Sequence, residues 1–111
     1  MISVNDKEKI LEELGGLPVE IYDELVAEHF ALVKEKVDEL KALLEEGDFE
    51  EFRRVAHYVK SSSANLRLTP FQELGAAMEN ASKGPIDRQI LEQSMAMLEQ
   101  LIASVDAEGH L

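Results

Sequence analysis

The chain contains no cysteine, no tryptophan and only three prolines in 111 residues. Without thiols there is no disulfide framework, no cysteine-ligated metal and no thiol nucleophile, and a reducing cytoplasm is the expected compartment. Long apolar runs are missing as well: none exceeds four residues, and the N-terminus from Met1 to Lys9 is polar and mixed in charge. Such a pattern predicts neither a membrane-spanning helix nor a signal peptide. Basic side chains are scarce, 11 Lys and Arg against 23 Asp and Glu, for a formal net charge of −12. A field of that sign repels phosphate backbones and anionic headgroups, so neither nucleic acid nor a membrane surface is an expected partner. The sequence also lacks a glycine-rich phosphate loop, calcium-loop spacing, an HExxH pair and the Glu-x-x-His pairs of di-iron bundles.

What is present is a chain with 45% hydrophobic residues, spaced almost everywhere at helical intervals and nowhere in strand-like alternation. A chain of this length buries roughly two thirds of its unfolded surface, enough for one ordinary core, so residues 1–111 are read as a single all-α domain. Asn5 and Glu8 have capping-box spacing, which predicts a first short helix beginning after Ser3 or Asn5, carrying Ile10, Leu11 and Leu14 and ending at Gly15 and Gly16. Pro18 suits the first position of a long second helix whose stripe is Tyr22, Val26, His29, Val33, Val37, Leu40 and Leu44, stopped by Gly47. Asp48 and Glu51 form a second capping box, opening a third helix through Phe52, Val55, Ala56, Val59, Ser63 and Leu66 to about Leu68. Thr69 as N-cap, Pro70 and Gln72 start a fourth through Leu74, Met78 and Ala81 to Gly84. A fifth is expected from Ile86 to Asp106, with Ile90, Leu91, Met95, Leu98, Leu101, Ile102 and Val105 inward, and a fraying tail from Glu108 to Leu111. Such short connections predict an antiparallel up-down-up-down four-helix bundle over about 18–106, with the first helix as a lid.

Three histidines are the only candidates for chemistry that the glutamate-rich outer faces do not explain. His29 lies on an apolar stripe and is read as packing, and His110 falls in the tail. At about 100° per residue, His57 points roughly 150° away from the apolar stripe of its own helix and must face solvent. Arg53 lies one turn before it, Lys60 and Ser61 one turn after, and Ala64 two turns after. The window from Phe52 to Leu68 holds Arg53, Arg54, Lys60 and Arg67 and no acid, a patch of +4 in a chain whose remainder has seven bases and 23 acids. An exposed imidazole is a competent nucleophile near neutral pH, adjacent cations stabilise a transferred phosphoryl group, and small neighbours admit a partner's surface.

The segment Ala56-His57-Tyr58-Val59-Lys60-Ser61-Ser62-Ser63-Ala64-Asn65-Leu66 resembles the A-H-x-L-K-G-S-x-x-N-L signature of histidine-containing phosphotransfer (HPt) domains. Phe30 resembles the phenylalanine of that family's long preceding helix, Gly47-Asp48 its hinge, and Leu74 with Met78-Glu79 its L-x-x-x-L-E pattern, so that the likeness covers about residues 18 to 106. The resemblance implies that His57 accepts a phosphoryl group, that Lys60 stabilises it, and that Ser61 and Ala64 are small positions where a partner docks; Arg53, Tyr58 and Arg67 are read as further docking residues beside them. It implies that Glu79 orients the imidazole or pairs with Lys60. Partners would be response-regulator receiver domains and a hybrid sensor histidine kinase. The chain would be a monomer with no cofactor or metal of its own, Mg²⁺ being supplied by the receiver, and it would carry phosphate rather than act as an autonomous enzyme. Two positions depart from the pattern: the glycine usual four residues after the histidine is Ser61, and the one usual ten residues after it is Arg67. The second departure predicts a differently built helix end, with Thr69 and Pro70 making the turn. Two other roles fit a helical bundle of this kind, an adaptor that binds receivers or kinases without accepting phosphate, and the phosphoacceptor module of a larger kinase. Retention of both His57 and Lys60 argues against the first, and the start at Met1 with a polar tail favours a free-standing protein over the second.

Overall fold

A computed structural model describes residues 4–108. Among these residues there are five helices and no strand: α1 (Val4–Glu13), α2 (Val19–Glu46), α3 (Phe49–Asn65), α4 (Thr69–Ala81) and α5 (Arg88–Glu108). His110 and the rest of the tail lie outside the described residues, as does Ser3 ahead of α1.

The helix ends follow from a few backbone and side-chain bonds. Pro18 is not the first residue of α2 but the extended residue before it, and its carbonyl accepts from the N–H groups of Ile21 and Tyr22 at 3.1 Å each. Gly47 closes α2 in the left-handed region at φ 75°, a conformation that costs glycine least. Asp48 then caps α3, its carboxylate accepting from the Glu51 N–H at 3.2 Å. The reciprocal half of a capping box does not form: the Asp48 N–H donates to the Leu43 carbonyl at 3.0 Å, and the Glu51 carboxylate pairs with Arg54.

The α3–α4 turn differs from the sequence expectation. Thr69 is not an N-cap: Leu68 occupies that position without a side-chain cap, and Thr69 and Pro70 are already helical. Helix α3 stops at Asn65, and Arg67 makes the turn at φ 60°, the only non-glycine residue with positive φ among those described. Arg67 therefore adopts the conformation that the family's glycine would favour. The strain of a side chain there is offset by its own guanidinium, which donates to the carbonyls of Ala64 at 3.1 Å and Asn65 at 3.4 Å and pairs with Glu13 of α1 at 3.2 Å. Helix α5 starts two residues later than expected, at Arg88, because the carboxylate of Asp87 caps it through the Ile90 N–H at 3.2 Å. Ile90 consequently faces out, 41% exposed, rather than joining the core.

The core is built from the remaining stripes. Tyr22, Val33 and Leu40 of α2, Phe52 and Val59 of α3, Phe71 and Met78 of α4, and Leu91 and Leu98 of α5 are all essentially inaccessible. Each such side chain contributes about 1.5–3 kcal/mol through removal of apolar surface from water. Contact between α3 and α4 is the most extensive; α2 packs on α3, α4 on α5, and α5 less extensively on α2. Half-buried Ile10, Leu11 and Leu14 attach α1 to this core. Two polar links tie α2 to α3: the Tyr22 hydroxyl donates to the Leu66 carbonyl at 2.6 Å, and His29 Nε2 meets Ser63 Oγ at 2.9 Å with both residues buried. His29 is thus a packed histidine with a satisfied ring nitrogen, and burial pushes its pKa below the ordinary value.

Candidate functional site

Ala56 and Val59 point inward on α3 and are fully buried, which turns the side chain of His57 outward with 58% of it exposed. It is nevertheless held. Its Nδ1 is in hydrogen-bond contact with Oε2 of Glu79 on α4, while the other oxygen of that carboxylate accepts from Lys60 Nζ at 2.7 Å. Only 7% of the Glu79 side chain is exposed. Burial alone would push its carboxyl pKa up; the hydrogen bonds from Lys60 and His57 outweigh it, and the net direction is down. An ionised carboxylate can only accept, so the contact needs a proton on Nδ1, and in the neutral imidazole the lone pair is then on Nε2. Ser61, one turn on, brings its Oγ to 3.3 Å from that Nε2.

This contact across two helices depends on a residue the sequence reading did not single out. A Cβ on Gly75 would lie 2.7 Å from Lys60 N and 2.9 Å from Lys60 Cα, closer than real Cβ contacts come. The missing side chain lets the α4 backbone press against α3 beneath His57 and Lys60. Glu79, one turn further along α4, then reaches both. A glycine inside a helix, where it costs about 1 kcal/mol relative to alanine, was the available sign of such an approach. Lys83 was also missed; its Nζ stands 3.9 Å from Glu79 Oε1.

The positions named from sequence separate on the structure. His57, Lys60, Ser61 and Glu79 are joined by hydrogen bonds. Arg53 and Ala64 are half-buried, one turn before and two turns after His57 on the same helix. Tyr58 is 43% exposed but turns toward α2, where Lys36 Nζ lies 5.3 Å from its ring centroid. Arg67 is not brought to His57: ten residues on, at about 1.5 Å per residue, it is engaged at the far end of α3. The basic window is not an open patch either. Arg54 pairs with Glu50 and Glu51, Lys60 with Glu79, and Arg67 with Glu13. Counting charge along the chain missed these acids because two of them, Glu13 and Glu79, arrive from other helices.

Among the described residues no group of His, Asp and Glu is arranged to hold a metal ion, and no helix is long and apolar enough to cross a membrane. The fold and site together define a helical protein that presents an exposed imidazole whose Nδ1 is anchored on a buried carboxylate, the other oxygen of which is held by a lysine. An Hpt domain family model matches residues 24–107, and the chain belongs to the Hpt domain family, whose members carry phosphoryl groups in two-component signalling. Helix α1 lies outside the matched range. No curated protein and no solved structure gives a significant match to the chain.

Proposed function

We propose that this protein is a phosphorelay carrier: His57 accepts a phosphoryl group from a receiver-domain aspartate or a sensor kinase and passes it to another receiver aspartate. The observation that carries this reading is an imidazole with Nδ1 committed to Glu79 in a side chain that is otherwise exposed, which leaves Nε2 as the nitrogen for chemistry. Attack by Nε2 places positive charge on the ring, and the adjacent Glu79 carboxylate offsets it. Lys60 holds that carboxylate in place, and its position one turn after His57 on α3 lets its charge act on the incoming phosphate. The transfer needs in-line geometry and charge stabilisation more than a base. The chain is therefore a partner-dependent carrier rather than an autonomous enzyme, and the receiver brings the Mg²⁺.

Residues 1–111 are taken as one unit, a cytoplasmic monomer built as an up-down-up-down bundle over about 18–106. The register of paired residues supports that arrangement. Along α2, Tyr22, His29 and Lys36 meet Leu66, Ser63 and Tyr58 in descending order, and Lys34 and Lys41 meet Asp106 and Glu99. A receiver docks around His57 over Arg53, Ser61 and Ala64, with Tyr58 at the margin.

The test is incubation with a phosphorylated receiver domain, reading acid-labile, alkali-stable label. Wild type takes up label, His57→Gln takes up none while keeping its helical spectrum, and Lys60→Ala takes it up roughly ten- to a hundredfold more slowly. No label on wild type, under conditions that label a control carrier, removes the relay reading and leaves a non-phosphorylated adaptor. Label persisting on His57→Gln shows that another residue is the acceptor.

A further inference from the structure

Three consecutive serines on α3 use their hydroxyls differently. Ser62 donates to the carbonyl of Tyr58 at 2.6 Å, the common local bond of a helical serine, and Ser63 is buried against His29. Ser61 has its hydroxyl 3.3 Å from His57 Nε2, the nitrogen that faces solvent, and makes no other hydrogen bond among the described residues. In the neutral ring, with the proton on Nδ1, Nε2 can only accept, so Ser61 is the donor. The family's usual glycine at this position has no hydroxyl to offer, so this contact belongs to this chain.

We propose that Ser61 is a phosphoryl-binding residue that exchanges its acceptor during transfer, an inference that rests on His57 being the phosphorylated residue. The lone pair of Nε2 attacks phosphorus; the N–P bond forms as the P–O bond to the receiver aspartate breaks, and that electron pair leaves on the aspartate carboxylate. Nδ1 keeps its proton throughout, so no base is required. Once the lone pair is used, the Ser61 hydroxyl has lost its acceptor. A phosphoryl oxygen on Nε2 then lies within one side-chain rotation, and as a charged acceptor it binds more strongly than the neutral nitrogen did. The exchange stabilises the phosphorylated protein relative to the free one. As a bond made in the resting phosphohistidine and not strengthened on the way to the transition state, it also slows hydrolysis, because it lowers the ground state more than the top of the barrier.

The experiment uses phosphoramidate, which phosphorylates an exposed imidazole chemically and needs no receiver. Half-lives of the phosphohistidine are compared at neutral pH in the full chain for wild type, Ser61→Ala and Ser61→Thr. Ser61→Ala, a substitution that favours the helix, is expected to shorten the half-life roughly three- to tenfold, and Ser61→Thr to restore it. In the unphosphorylated protein Ser61→Ala shifts the ¹⁵N resonance of Nε2 and leaves that of Nδ1 in place. Equal half-lives for wild type and Ser61→Ala overturn the proposal, as does a shortened half-life that threonine fails to restore. Failure of phosphoramidate to label wild type overturns it too, since the accessible lone pair is its premise. A receiver phosphate that never moves to wild type removes the relay reading but leaves these half-lives to be read, so the two failures are distinct.

Discussion

Replacing Gly75 with alanine sets two effects of opposite sign against each other. Helix propensity alone favours alanine by about 0.8–1 kcal/mol in a helix interior. The new Cβ, however, would stand 2.7 Å from Lys60 N, 2.9 Å from Lys60 Cα and 3.1 Å from the Ala56 carbonyl oxygen. All three are backbone atoms, so no rotamer change relieves them. Ordinary contact begins at 3.4 Å, and α4 must retreat from α3 by about 0.7 Å to reach it. Overpacking of this kind costs about 1–3 kcal/mol, and here it loosens the most extensive helix contact in the protein. The net expectation is a loss of about 1 kcal/mol or somewhat more, a fall in Tm of about 4–10 °C for a domain of this size. The retreat also carries Glu79 with it, stretching its 2.7 Å bond from Lys60 toward the limit of hydrogen bonding. Phosphoryl uptake by Gly75→Ala is therefore expected to slow along with the drop in stability. Thermal unfolding followed by far-ultraviolet circular dichroism, paired with the uptake assay, measures both. A variant that melts above wild type by the propensity increment and transfers at the wild-type rate refutes the close approach of the two backbones and its role in placing Glu79.

Glu79→Gln keeps the shape of the side chain and an oxygen for the Nδ1 proton but removes the charge. Phosphoryl uptake is expected to fall roughly ten- to a hundredfold and the urea midpoint to fall with it, because Lys60 and His57 lose the carboxylate that pairs with them; unchanged uptake contradicts a charge role for this residue. Acid has a separate effect through His29. Its folded pKa lies below the ordinary 6.5 because it is buried, so the unfolded chain binds the proton more readily. The stability it contributes is complete above that pH and is lost as pH falls from 6.5 through the lowered folded value. Urea midpoints should therefore decline in that window in wild type and stay flatter in His29→Gln; a flat wild-type profile contradicts it. A further decline should follow below 4.5, where the lowered pKa of Glu79 makes its protonation a cost of staying folded.

The parts of this protein that could be read along the chain are those decided within one helix. The stripe of α2, the cap at Asp48 and the outward direction of His57 each depend on residues within a turn or two of one another, and periodicity displays them. Arg67 escaped because glycine propensity pointed to a different turn, while the bonds that stabilise a left-handed arginine come from its own guanidinium and from Glu13, far away in sequence. The basic window escaped for the same reason. Charge counted along residues 52–68 cannot register acids delivered by α1 and α4. Gly75 carries no side chain to suggest a role, and its effect appears only where two backbones meet.

That last group of interactions alters the chemical picture of the site. A ring surrounded only by cations would have no acceptor to hold its proton on Nδ1. Here Gly75 brings α4 close, Lys60 keeps Glu79 ionised, and Glu79 keeps the proton on Nδ1, so the lone pair stands on the nitrogen that a partner can reach. The acid excess that argued against phosphate-bearing polymers is thus compatible with handling a single phosphate. Among the described residues the acid that touches the imidazole, Glu79, lies on its α4 side, where it offsets the charge that the ring acquires on phosphorylation, while Ser61 stands at Nε2.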